Sequence, residues 1–87
     1  MRTDEDVNSR AWVVRSPADL GRAVAGIRGR RGMTQEDLAR QLDINRSYLA
    51  RLEAGAAPLA LSRTLRALRR MGATVTITLP GDDGAPD

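Results

Sequence analysis

Between Met33 and Gly55 the chain carries start and stop signals for two helices with only about three residues left for the turn between them, which narrows the possible folds sharply. Thr34 is a good N-cap, and Glu36 and Asp37 place carboxylates in the first turn, where the helix dipole favours them. Met33 and Leu38 occupy the N′ and N4 positions of a hydrophobic staple, so a helix starts at Thr34. Leu38, Ala39 and Leu42 continue at helical spacing until Asp43-Ile44-Asn45 interrupts, bringing an aspartate that tolerates left-handed backbone and an asparagine able to cap a second helix. Ile44 and Leu49 repeat the staple, Leu49 and Leu52 face inward, and Gly55 supplies the stop. The expected helices span 34–42 and 45–54.

The flanks extend this pair. Ser16-Pro17-Ala18-Asp19 sets serine at an N-cap, proline at N1 and an acid in the first turn, which predicts a helix over 16–31 with Leu20, Val24 and Ile27 on its apolar stripe and Gly32 as its end. Gly21, Gly26 and Gly29 each cost it about 1 kcal/mol relative to alanine, so packing has to hold it. After the loop at Gly55-Ala56-Ala57-Pro58, Leu61, Leu65 and Leu68 mark a helix over 60–71. Thr74, Val75, Thr76, Ile77, Thr78 and Leu79 then alternate as a strand over 74–79. A lone strand cannot satisfy its backbone. Its partner is either the β-prone segment around Trp12 or the same strand of a second copy. Trp12 itself reads as part of an added strand or as an arm plugging the helical body. Residues 1–9 and the acidic segment 81–87 lack periodicity and are expected to be disordered, leaving 10–80 as the domain.

Composition removes most chemistry. The 87 residues include no cysteine and no histidine, so thiolates, imidazole bases and the usual zinc ligands are missing, and neither a glycine-rich phosphate loop nor a carboxylate cluster points to an enzyme. No cofactor or metal is expected. No apolar run is long enough for a bilayer, and a cytoplasmic protein with no membrane partner is expected. From Arg15 to Arg70 there are twelve arginines against five acids, a surplus of seven that far exceeds the net +3 of the chain. That is the electrostatic footprint of a nucleic-acid binder. Two short helices on a tight turn, the second exposing Arg46, Ser47 and Arg51, form the layout whose second helix enters the DNA major groove.

Gly32-Met33-Thr34-Gln35, Leu38-Ala39, Leu49, Leu52-Glu53 and Gly55 together resemble the phage-repressor-type (XRE) helix-turn-helix family. With the flanks from Ser16 to about Pro80, the chain is more specifically similar to HipB-type antitoxins, which carry a short strand after the last helix. The resemblance implies a mainly α, four- to five-helix repressor-like domain with a short C-terminal β-strand paired across a homodimer. It also implies double-stranded DNA with a palindromic operator as partner, and a HipA-like serine/threonine kinase toxin as a second. By the family motif, Arg46, Ser47 and Arg51 fall on base-contacting positions, and Tyr48 beside them either touches thymine methyls or sugar-phosphate, or covers the helix. Thr34, Gln35, Asn45, Arg40 and Arg22 are the candidate backbone contacts, Asn45 doubling as a cap and Gln35 as a support for the recognition helix. Arg28 and Glu53 resemble a structural ion pair of the family. Asp43 departs from the pattern, which usually has glycine in the turn.

Overall fold

The computed structural model describes residues 11–80, so the expectations for 1–9 and 81–87 lie outside the described residues. In chain order the elements are β1 (Ala11–Val14), α1 (Pro17–Arg30), α2 (Gln35–Leu42), α3 (Arg46–Glu53), α4 (Leu59–Arg70) and β2 (Val75–Thr78). The architecture is mainly helical, with a small antiparallel sheet built from the two ends of the described chain.

Local chemistry fixes each helix start. Ser16 accepts from the Asp19 backbone N–H, and Pro17 opens α1, where a missing N–H costs nothing. Thr34 forms a full capping box: its hydroxyl accepts from Asp37 N–H at 3.0 Å, and the Asp37 carboxylate accepts from Thr34 N–H at 2.9 Å. Asn45 Oδ1 accepts from Ser47 N–H at 2.8 Å at the start of α3. The turn between α2 and α3 runs through Asp43 at φ 58°, in the left-handed region, and Gly55 closes α3 at φ 105°.

α1 is the hub, packing against β1, α3 and α4, while α2 packs on α3. Val14, Ala23, Ala39, Leu49, Leu65 and Leu79 form the buried core, with Leu49 of α3 at its centre. Leu20, Val24 and Ile27 are half-buried along one side of α1, and Gly21 and Ala23, which flank that stripe, are buried. The α3 backbone comes so close at Gly21 that bulk is excluded there. Leu42, at helical spacing from Leu38, is 54% exposed at the end of α2.

Of the two partners open to β2, the structure pairs it with β1 of the same chain, Ala11 opposite Thr78 and Trp12 opposite Ile77. The inward residues Val75, Ile77 and Leu79 alternate with exposed Thr76 and Thr78, and Trp12 meets α1 at Gly26, so this register buries both strands' apolar sides at once. Trp12 therefore lies in an added strand. The sheet has only these two strands among the described residues.

Candidate nucleic-acid interface

The placement of α3 is set by what grips its two ends. At its C-terminal end, Glu53 accepts from Arg28 Nε at 2.8 Å and from Arg28 Nη2 at 2.9 Å, a two-pronged pairing of planar groups. Gln35 Nε2 donates to the same carboxylate at 2.9 Å, and Arg28 Nη1 donates to the Met33 carbonyl at 2.8 Å. One carboxylate thus ties α3 to α1 and to the start of α2. The side chains of Arg28 and Glu53 are 19% and 8% exposed, so the pair is largely screened from water. Hydrogen bonds from Arg28, then from Gln35, hold the Glu53 carboxyl below its ordinary range against the opposing effect of burial. The same pairing raises the Arg28 guanidinium.

With Leu49 in the core, the opposite side of α3 is presented to solvent. Arg46, Ser47, Tyr48 and Arg51 are all exposed. The Ser47 hydroxyl donates to Asn45 Oδ1, so it is tethered to the helix cap. Tyr48 and Arg51 border a shallow notch completed by Ala56, Ala57 and Pro58, the loop that follows α3. An exposed α-helix carrying two guanidinium groups, on a body with a surplus of arginine, is shaped and charged to enter the major groove of duplex DNA.

The helix-turn-helix domain family matches residues 19–76, which takes in α1 from Asp19 onward, the whole of α2, α3 and α4, and the first half of β2. The chain belongs to this family. A relative in Sinorhizobium fredii, described as an uncharacterised HTH-type transcriptional regulator, is 28% identical over 69 residues, covering 79% of this chain and 91% of the relative. No solved structure matches the chain significantly. Membership in the helix-turn-helix family implies DNA binding. No helix among the described residues is long and apolar enough to cross a membrane, and those residues hold no metal-capable cluster of carboxylates.

Within this helix-turn-helix domain, the residues singled out for DNA fall into two groups. Arg46, Ser47, Tyr48 and Arg51 share the outer side of α3. Thr34, Gln35 and Asn45 are already engaged in caps and in the Glu53 cluster, which leaves the free backbone N–H groups of the α2 N-terminus as the donors suited to a phosphate. Arg40 and Arg22 are exposed at 71% and 69%, each paired to an acid three residues earlier, Asp37 and Asp19. Such exposed pairs are weak and yield readily to a phosphate. Asp37 is held below the ordinary carboxylate range by the Thr34 backbone N–H and hydroxyl, and Asp19 by the Arg15 backbone N–H and then Arg22. Sequence reasoning missed two contributors: Gly21, which sets the α1–α3 distance, and Met33, whose carbonyl anchors Arg28. A mid-helix glycine with no turn to make was the available signal for the first. Nothing in the sequence marks a particular carbonyl.

Proposed function

We propose that the protein is a homodimeric, sequence-specific transcriptional repressor that reads a palindromic operator with two copies of α3. The observation that carries the reading is the outward side of α3, where Arg46, Ser47, Tyr48 and Arg51 are exposed while Glu53 and Leu49 fix the helix from behind. Arginine binds guanine O6 and N7 with two parallel bonds, so at least one G·C pair is expected in each half-site. Arg22, Arg40, Gln35, Thr34 and Asn45 would sit along the flanking phosphates and set register. Two half-sites about one helical turn apart match the two-fold symmetry of a dimer. The role as a regulator is supported by the description of the S. fredii relative. The deciding experiment is an unbiased DNA selection on the purified protein, read together with the mass of the bound species. A palindromic motif with guanine in each half, bound by a dimer and lost in the Arg46→Ala, Ser47→Ala double variant, supports the proposal. Retained operator affinity in that variant sinks it.

A second role is proposed from the similarity to HipB-type antitoxins: the dimer neutralises a HipA-like serine/threonine kinase toxin and represses the operon that encodes both. The exposed arginines of α4, Arg63, Arg66, Arg69 and Arg70, provide a basic surface for an acidic partner protein. Co-purification of the product of a neighbouring kinase-like gene, lost on replacing those arginines, would support it. A solitary gene whose product purifies alone leaves a plain regulator of the prophage type.

A further inference from the structure

β1 and α1 border an open groove of about 610 Å³, lined by Ala11, Trp12, Arg15, Asp19, Arg22 and Ala25 among others. β1, which forms one side of this groove, precedes the family match at residues 19–76, and Asp19, Arg22 and Ala25 on the other side lie within it. Its polar wall is two guanidinium groups sharing one carboxylate. Arg22 donates to Asp19 Oδ1, Arg15 Nε lies 3.5 Å from Asp19 Oδ2, and the Arg15 backbone N–H donates to that same oxygen at 2.9 Å. The Asp19 side chain is only 14% exposed, whereas those of Arg15 and Arg22 are 64% and 69% exposed. A single carboxylate cannot occupy ten guanidinium N–H donors, so the groove faces solvent with unspent donors and a positive balance, over a floor that includes Trp12 and Ala25.

The chain leaves the sheet beside this groove. Thr78 pairs with Ala11, Leu79 is buried, and Pro80 is back at the surface. The next seven residues, 81–87, hold Asp82, Asp83 and Asp87 and no basic residue. Seven extended residues span roughly 23–25 Å, whereas α1 rises only about 12 Å from Pro17 to Ala25, with Arg15 two residues before it, so reach is not limiting. β1 begins at this same end of the sheet, with Ala11 opposite Thr78, but in the sequence of residues 1–10 Arg2 and Arg10 offset two of the three acids. We propose that segment 81–87 docks along this groove with its aspartates on Arg15 and Arg22, and there competes with DNA phosphate. Docking needs only the groove and the segment, while the competition rests on reading Arg22 as a phosphate contact.

Trp12 is the only tryptophan and lines the groove, so docking reports itself without DNA. In the full chain at low salt, the variant Asp82→Asn, Asp83→Asn, Asp87→Asn should shift Trp12 emission and the Arg15 and Arg22 Nε–Hε resonances toward those of wild type in high salt. Arg22→Gln should remove most of that difference. Spectra unchanged by the triple variant overturn the proposal, and so does a shift produced instead by Asp4→Asn, Glu5→Gln, Asp6→Asn. For the competition, the C-terminal triple variant should bind a non-specific duplex about three- to twelvefold more tightly at low salt. That is roughly what one or two phosphate contacts lose on a fourfold rise in salt. The gain should disappear as salt is raised. Equal affinity of wild type and variant overturns the competition. If neither form binds DNA, the operator reading fails, and the spectra still decide the docking.

Discussion

A Cβ atom on Gly21 of α1 would lie 2.5 Å from the Leu52 carbonyl oxygen of α3 and 2.6 Å from that of Glu53, so α3 rests directly on the α1 backbone. Gly21→Ala should therefore be destabilising even though alanine is the better helix former. The intrinsic gain is about 1 kcal/mol, while forcing two backbones apart costs more than the 1–3 kcal/mol typical of ordinary overpacking, roughly 2–4 kcal/mol in all. Gly29, by contrast, has nothing within 4 Å of the added atom. Gly29→Ala should stabilise by about 0.5–1 kcal/mol. Thermal melts of the two variants side by side should move in opposite directions, and any DNA affinity should fall only in the first.

The Arg28–Glu53 pair gives a second contrast. Both groups are mostly shielded, so removing one strands the other, and Glu53→Ala or Arg28→Ala should each cost about 3–5 kcal/mol. Because the two losses are of one interaction, the double variant should cost well under their sum. Denaturant unfolding of the four proteins closes the cycle. Additive losses would mean that Glu53 is held chiefly by Gln35, and Gln35→Ala would then show the larger effect.

Acid should unfold the domain partly through this site. The Glu53 carboxyl titrates below its ordinary value of 4.5 in the folded chain, because Arg28 and Gln35 hydrogen bond to its ionised form. A depressed carboxylate binds its proton more weakly folded than unfolded, so its contribution is complete above the unfolded value and is lost as pH falls through the folded one. Stability should therefore be level near neutrality and decline below the ordinary carboxylate range. Glu53→Gln should lower the plateau and flatten that decline. Asp37 and Asp19 are shifted the same way but lie nearer the surface, so their variants should alter the slope less.

Caps, turns and helical spacing are local properties, which is why Ser16, Thr34, Asn45 and Asp43 read correctly from the sequence as caps and turn. The position of the Arg28–Glu53 pair came from resemblance, and spacing alone would not have joined residues twenty-five apart. What stayed hidden was close packing between elements. Gly21 and Gly26 look like weak points of a helix, and only the assembled fold turns them into seats for the α3 backbone and for Trp12. The strand partner was hidden for the same reason. Alternation in 74–79 states which side is apolar, while the choice between β1 and a second copy depends on where the chain ends are brought.

Asp43 holds a left-handed backbone with a side chain on it, at φ 58° between α2 and α3. Aspartate accepts this conformation better than most residues but pays more than glycine does. Asp43→Gly should stabilise by a few tenths to about 1 kcal/mol, and Asp43→Ala should destabilise by about 1 kcal/mol. Chemical denaturation would order the three proteins as glycine, aspartate, alanine. An alanine variant as stable as wild type would mean that the turn relaxes out of the left-handed region.

Contacts to bases and contacts to phosphates should separate in a salt titration. If Arg46 or Arg51 reads a guanine, its alanine variant should lose about 1–3 kcal/mol against the selected operator and relax the preference at one base pair. Binding to unrelated duplex should change little. If Arg40 or Arg22 holds a phosphate, its alanine variant should weaken all sequences alike and reduce the slope of log affinity against log salt by about 0.9. Both arginines are already paired to an acid in the free protein, so the affinity lost should be smaller than for an unpaired cation, while the change in slope should be preserved. A variant of Arg46 that lowers the slope without altering base preference would move that residue to the backbone group, and the outer side of α3 would then be read as a phosphate surface.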